Sequence, residues 1–449
     1  MKLTVFQSDK GDCLLLTGAD GRRMLVDGGM RASYSEHVAP ATGKLRDNGE
    51  NIDVVYVSHI DQDHISGVLQ MMDDEVAWRI HDFQVTNDNP NHKEPDSPRP
   101  PKVAQIWHNA FHDQIKDNAG EIEEMLAASA AILSGAGRES VRELASAQDE
   151  LVTSIAEAIK LTKRVSPAQL GIKLNVPAKG KLMLVRPSTT AAIKLGGMRF
   201  SIIGPFSADL TKLRAEWNKW LTDNKPQLKS IQAAAKKDEA SFGAAEIDDL
   251  LLPKLAQAEQ MSALLTPDDL ATAFKLGERE NVTTPNLASL MFFVEENGKT
   301  LLLTGDGHHL DILKGLKHIK KLNGSGGIHV NVLKVQHHGS EHNLNEAFCR
   351  AVTADHYVFC GNGKHENPDL QVIEAIADSR ISTGAKLSSN PQVGNPFKFS
   401  VNSSSTVTKN AEAKAHMKKV EKLFSNLANK SNGKMSFFFL KGSSFEVQI

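Results

Sequence analysis

The chain has 449 residues, with 52 Lys+Arg against 54 Asp+Glu for a formal net charge of −2, 40% hydrophobic and 24% charged residues. That balance supports a sizeable core in one enlarged domain or about three smaller ones, and it excludes a disordered tail, a collagen-like repeat and a globally basic nucleic-acid coat. Three scattered cysteines, Cys13, Cys349 and Cys360, are too few for a disulfide framework or a Cys-based zinc knot, so the reducing cytoplasm is the expected compartment.

The N-terminus breaks into charge before a signal-peptide core forms, and no apolar run approaches the ~20 residues of a membrane helix, so no membrane span is expected. To about Met71 the pattern is strand-like. Leu3-Thr4-Val5-Phe6 alternates, Asp12-Cys13-Leu14-Leu15-Leu16 and Met24-Leu25-Val26 are short apolar runs, and Asp53-Val54-Val55-Tyr56-Val57 stops at Ser58-His59. From about Asp73 to Pro101 the sequence turns polar and rich in Pro and Asn, which predicts an exposed loop. Residues 116–166 carry Ala, Glu, Leu and Ile at helical spacing and predict two helices. A second helical, charged stretch is expected over 207–280, with Leu213, Trp217 and Leu221 four apart.

Strands are expected again at 181–185, 198–203, 289–294, 300–304, 330–335 and 356–360. A Ser/Asn-rich linker at 402–405 leads into a C-terminal part, 406–449. That part holds a Lys-rich amphipathic helix, with Met417, Val420, Phe424 and Leu427 on one face, and a closing strand near 436–448. No repeat of useful length is present. Two groups of strands separated by helices predict an α/β layered domain with helical insertions.

The chemistry concentrates where strands end. Ser58-His59-Ile60-Asp61-Gln62-Asp63-His64 sets four potential metal ligands directly after a buried strand. Imidazole nitrogen and carboxylate oxygen together suit zinc, manganese or iron. Thr304-Gly305-Asp306, Val335-Gln336-His337-His338-Gly339-Ser340 and Gly363-Lys364-His365-Glu366-Asn367-Pro368 repeat the arrangement. Each alone reads equally as a turn former or a solvated histidine. Their recurrence is the signal, because converging strand ends can assemble a binuclear site.

The order Gly28-Gly29, His59-x-Asp61-x-Asp63-His64, Gly305-Asp306 and His337-His338-Gly339-Ser340 resembles the metallo-β-lactamase superfamily. Within it, the pattern is similar to the hydrolase domain of ComEC-type DNA-uptake proteins. Gly11-Asp12-Cys13, Val26-Asp27-Gly28-Gly29 and Asn286-Leu287-Ala288-Ser289-Leu290 match as well. The motifs fall within about 1–71, 168–206 and 284–365 and in the last strand; the helical insertions at 116–166 and 207–280 lie outside them.

The resemblance implies a four-layer αββα sandwich spanning 1–449, with two divalent metal ions, Zn²⁺ or Mn²⁺ with Mg²⁺ as a further option, at one edge. His59 and Asp61 would serve the first metal, Asp63 and His64 the second, and Asp306 would bridge. His337 is the next expected ligand, with His338 as neighbour or alternate. Most of the superfamily carries His at the position of Asp61; the ComEC-type domains share the Asp, and a carboxylate there makes the first site harder, favouring Mn²⁺ or Mg²⁺. A further superfamily His has His108 as its first candidate and His112 as its second, although either equally fits a structural His beside Trp107.

The activity implied is hydrolysis by a metal-activated water. Asp63 and Asp306 would balance the metal charge, and His338 or His365 would protonate the leaving group or orient a phosphate. Asp27 or Ser340 would hydrogen-bond ligand imidazoles. The substrate implied is a phosphodiester of DNA or RNA. Lys314, Lys317, Lys320 and Lys321, and seven Lys against two Glu from Lys409 to Lys434, offer charge for phosphates, or simply solvated helix faces. The same fold also admits a small ester, lactone, thioester or β-lactam as substrate. A third reading is an effector subunit that docks a protein partner through the helical insertions.

Overall fold

Strands that are apolar on both faces need cover on both faces, and this chain supplies it with two stacked sheets between helices. A computed structural model describes residues 1–87, 89, 91–109, 157–158, 160–187, 191–208, 210–211 and 288–449. Most of 116–166 and 207–280, together with His112, Leu213, Trp217 and Leu221, lies outside the described residues; of the first stretch, 160–165 is helical.

The first sheet contains β1 (Lys2–Phe6), β2 (Leu14–Thr17), β3 (Arg23–Val26), β4 (Ile52–Val57), β5 (Val103–His108) and β6 (Lys173–Leu174), with β15 (Ser444–Gln448) beside β1 at its far edge. The second runs in sequence order from β7 (Ile193–Leu195) through β8 (Met198–Gly204), β9 (Met291–Glu296), β10 (Lys299–Leu303), β11 (Ile328–Lys334), β12 (Val352–Phe359) and β13 (Phe397–Val401) to β14 (Met435–Phe439). Helices with both ends among the described residues include α1 (Arg31–Ser33), α2 (Ala39–Asp47), α3 (Gln62–Thr86), α4 (His309–His318), α5 (Glu346–Ala351), α6 (Leu370–Ile381) and α7 (Ala411–Lys430). This is the expected αββα sandwich.

Strand alternation divides the core. Leu14, Leu16, Met24, Tyr56, Leu301, Leu303 and Val358 point between the sheets, where Trp107 meets Phe200 edge-on at 5.5 Å. Their neighbours Leu15, Leu25 and Val55 face the helices of the first sheet, and Leu302, Tyr357 and Phe359 face those of the second. Strands β3, β4 and β5 run parallel to one another, as do β10 through β14. Parallel strands deliver their C-terminal loops to one edge, so the loops after β10, β11 and β12 are neighbours.

Four expectations are corrected. Residues 73–86, read as loop, continue α3 to Thr86, because partners distant in sequence take up the helix's charges: Arg31, Lys160 and Arg164 all pair with Asp73. The apolar run 181–185 is not a strand. Asn109 exchanges hydrogen bonds with the Met183 backbone at 2.7 and 2.8 Å, and Val185 makes an isolated bridge to Phe206. The 402–405 segment is no linker but a buried polar knot, in which the Asn402 amide donates to Phe6 O and Ser8 Oγ. The single closing strand is two, β14 in the second sheet and β15 in the first. Among the described residues no helix is long and apolar enough to cross a membrane, and the three cysteines are free and buried.

Candidate metal centre

The loop leaving β4 turns into α3 at Asp61. An Asp at this position ordinarily accepts hydrogen bonds from the first-turn amides, yet the Asp61 side chain makes no such cap. Its Oδ2 lies 3.4 Å from His59 Nε2 instead. Close backbone approach holds the loop in place: a Cβ on Gly28 would fall 2.2 Å from Val68 N, and Gly28 N donates to His64 O at 2.8 Å.

Asp306 arrives from the second sheet, three residues beyond β10. Gly305 precedes it with φ +49, and a Cβ there would meet Ser58 Cβ at 2.9 Å, so the two loops interlock only with glycine. After β11 the chain makes three successive left-handed residues, His337 (φ 45), His338 (φ 56) and Gly339 (φ 89). Each non-glycine residue in that region costs roughly 1 kcal/mol or more, a strain that concentrates at functional sites.

These three segments meet at one carboxylate oxygen. Asp306 Oδ2 lies 3.4 Å from the Nε2 atoms of His64 and His338 and 3.8 Å from those of His59 and His337. Asp63 Oδ2 is 3.2 Å from His338 Nε2, and Asp63 Oδ1 is 4.0 Å from His64 Nε2.

The far side of every imidazole is held. Ser58 Oγ lies 3.0 Å from His59 Nδ1, Asp27 Oδ2 lies 3.0 Å from His64 Nδ1, and His338 Nδ1 donates to Cys360 O at 2.7 Å. Asn343 Oδ1 bonds His337 Nδ1, while its amide donates to Asp306 O at 2.7 Å. Asp27 also accepts from Ser58 N and Oγ. These bonds fix the rings with Nε2 turned inward, as second partners of ligating histidines do. Among the described residues, Nε2 of His59, His64 and His338 and Oδ1 of Asp306 are buried without a hydrogen-bond partner. Buried polar atoms are rarely left so, and bound cations would give them partners. His59, His64 and Asp306 thus form a set able to hold a metal ion.

Asp12, His64 and His338 also lie close enough to share an ion. The buried ammonium of Lys334 occupies Asp12 Oδ2, however, so Asp12 serves as a charged floor. His338 Nδ1 is 3.3 Å from Asp12 Oδ1.

Burial disfavours charge on His64 and His338, but the carboxylates of Asp306, Asp12 and Asp63, joined by Asp27 for His64, overcome it and hold both imidazoles well above the usual histidine range. Burial likewise opposes ionisation of Asp306 and Asp63, and the same two histidines outweigh it, holding both carboxyls below the ordinary range. His337 goes the other way: burial lowers it, only partly opposed by Asp306. The cluster therefore demands positive charge, and protons and divalent cations compete for the same nitrogens.

His59, Asp61, Asp63, His64, Asp306, His337 and His338 are thus brought together. Within the histidine pair the geometry favours His338 as the inner residue and leaves His337, 26% exposed, at the mouth. His108 is buried at the end of β5, beside Val57, and belongs to neither ion-binding group. His365 is exposed on the turn Lys364–Glu366. Asp27 contacts the His64 imidazole, whereas Ser340 Oγ accepts from His342 N at 3.4 Å.

Sequence reasoning missed Lys334 and Asn343. Lys334 left a signal, a lysine ending the apolar run Val332-Leu333 of β11; Asn343 left none. The family model described as the metallo-beta-lactamase superfamily matches residues 9–116, the segment carrying β2 to β5 and the His59–His64 motif. No curated protein matches the chain.

Proposed function

We propose that this metallo-β-lactamase-type sandwich is a binuclear metal-dependent phosphodiesterase acting on nucleic acid, akin to the hydrolase domain of ComEC-type proteins. The observation that carries the reading is the convergence of four Nε2 atoms on Asp306 Oδ2 while every Nδ1 is engaged elsewhere. His59 and Asp61 would hold one ion, and Asp63, His64 and His338 the other, with Asp306 between them. Divalent cations there supply Lewis acidity and ionise water near neutral pH. The Asp61 carboxylate makes the first position harder, favouring Mn²⁺ or Mg²⁺.

The protein's own groups divide the remaining work. Asp27, Ser58 and Cys360 O keep the ligand rings oriented. His337, kept neutral by burial and donating from Nδ1 to Asn343, presents an Nε2 able to take a proton from water at the mouth. His365 stands on the loop after β12, whose first residue, Cys360, accepts from His338 Nδ1 through its carbonyl. From there it would orient a phosphate or protonate the leaving oxygen.

The test is cleavage of labelled single- and double-stranded DNA and RNA, and of bis-p-nitrophenyl phosphate, with Mn²⁺, Mg²⁺ or Zn²⁺, beside an Asp63→Ala control. The expected result is metal-dependent diester cleavage that the control lowers by roughly a thousandfold. Turnover of lactones, thioesters or nitrocefin with both diester classes untouched would replace this reading with small-molecule ester hydrolysis. Metal binding without any turnover would favour a partner-dependent effector.

A further inference from the structure

Helix α7 buries Met417, Val420, Phe424 and Leu427, and the Phe424 ring packs edge-on against Phe399 at 5.1 Å and Phe439 at 5.2 Å. At 3.6 residues per turn the opposite face carries Lys418, Lys419, Lys422 and Lys430, all exposed, with Lys414 half-buried at its margin. The carboxylate of Glu421 is spent elsewhere, accepting from Ser405 N at 2.7 Å and Ser405 Oγ at 2.8 Å.

The basic face continues onto an aromatic one. Strand β14 follows α7 directly and is the outermost strand of its sheet. Its Phe437 and Phe438 are each 38% exposed, between exposed Lys434 and Lys441. Sheet edges seldom show adjacent phenyl rings to water unless something covers them. Phe437 lies on the α7 side, its ring 5.9 Å from Phe424.

The other end of α7 abuts the loop after β12. A Cβ on Gly363 would fall 2.2 Å from Ala413 O, and His416 Nε2 lies 3.0 Å from Pro368 O. That same loop begins at Cys360, whose carbonyl accepts from His338 Nδ1 at 2.7 Å. The second basic cluster is partly engaged: Lys321 pairs with Glu295 and Lys314 lies over the Phe206 ring at 3.8 Å, which leaves Lys317 and Lys320.

We propose that α7 and the β14 edge form a track for single-stranded nucleic acid leading to the metal centre. Lys418, Lys419, Lys422, Lys430 and Lys434 take phosphates and Phe437 stacks an unpaired base. Lysines neutralise phosphates without reading sequence, and an aromatic face selects bases freed from a duplex. This inference rests on the reading of the site as a phosphodiesterase.

The experiment uses the full chain and reads binding and chemistry separately. Fluorescence anisotropy follows a labelled oligo-dT, a duplex of equal length and heparin as competitor over a salt series, while bis-p-nitrophenyl phosphate reports the metal centre. Combining Lys418→Gln, Lys419→Gln and Lys422→Gln is expected to weaken oligo-dT binding tenfold or more and to lower the slope of log affinity against log salt by about 2. Phe437→Leu keeps an apolar contact for Phe424 but removes the ring face. It is expected to weaken oligo-dT roughly tenfold and leave the duplex unchanged. Both variants should turn over bis-p-nitrophenyl phosphate like the wild type. Unchanged oligo-dT affinity in the triple variant overturns the track. A lysine effect shared by heparin and duplex, with no effect of Phe437→Leu, overturns the single-strand assignment. Wild-type protein that cleaves no diester overturns the reading of the site, while the anisotropy still reports on the track.

Discussion

Strands β11 and β12 carry a polar cluster at each end, built from the same residue types and put to opposite uses. At the start of the strands, His329 Nδ1 lies 2.9 Å from Thr353 Oγ1 and its Nε2 2.9 Å from Asp355 Oδ1. Asn331 donates to Asp355 Oδ2 and Asn390 to Thr353 Oγ1, both at 2.9 Å. Both ring nitrogens are engaged, and Thr353 is sealed from solvent. At the far end, His337 and His338 engage only Nδ1 with a neighbour outside the ion-binding cluster and turn Nε2 toward Asp306. A histidine beside an aspartate is therefore not what marks a site. What marks it is the meeting of several such buried nitrogens, left over after local hydrogen bonding is complete, at one carboxylate.

That contrast breaks most visibly at the carboxylates. Asp306→Asn should lose metal from both positions and roughly a thousandfold in diester turnover, whereas Asp355→Asn should cost about 1 kcal/mol of stability and leave turnover intact. Metal analysis by mass spectrometry beside kinetics checks both, and equal effects of the two changes would dissolve the distinction. Next come the histidines. His338→Ala should take bound metal from about two per chain toward one, while His337→Ala keeps both and lowers kcat. His108→Ala should also keep both; a drop toward one would restore His108 as a ligand. Smaller again, Asp27→Asn, which loosens the His64 ring without removing a ligand, should weaken metal affinity tenfold to a hundredfold in chelator competition.

The smallest effect concerns the self-satisfied side of the sheet. His356, on β12 and bonded to Ser400 Oγ at 2.8 Å, is held down to about 4 by burial and by Lys398. The unfolded chain takes up a proton near pH 6.5, which the folded chain refuses until about 4. Stability supplied by the neutral ring is therefore present above pH 6.5 and falls as pH drops through that window, by about 2 kcal/mol at pH 4.5. Denaturant unfolding with chelator present should show His356→Gln losing less stability than wild type over this range, and parallel losses would refute the assignment.

Local patterns made much of this legible. The run from Val54 to His64 could be read directly because its histidines and aspartates lie within one strand exit and one helical turn, where spacing alone fixes proximity. The Asp306 and His337-His338 segments announced themselves in the same way, as polar residues ending apolar strands. Where the reading failed, the deciding partner was distant. The helical course of 73–86 depends on Arg31, Lys160 and Arg164. The burial of 402–405 depends on Phe6 and Ser8.

By itself, then, the sequence determined which residue types stand at the ends of which strands, since alternation, β-branching and glycine breaks act over a few residues. It did not determine which histidine of a pair lies deeper, that Lys334 pairs with Asp12, or that the last strands separate into different sheets. Those outcomes belong to the tertiary structure. Contacts between residues hundreds of positions apart decide which buried polar atoms find partners, and only in the folded packing does an unpartnered nitrogen become visible.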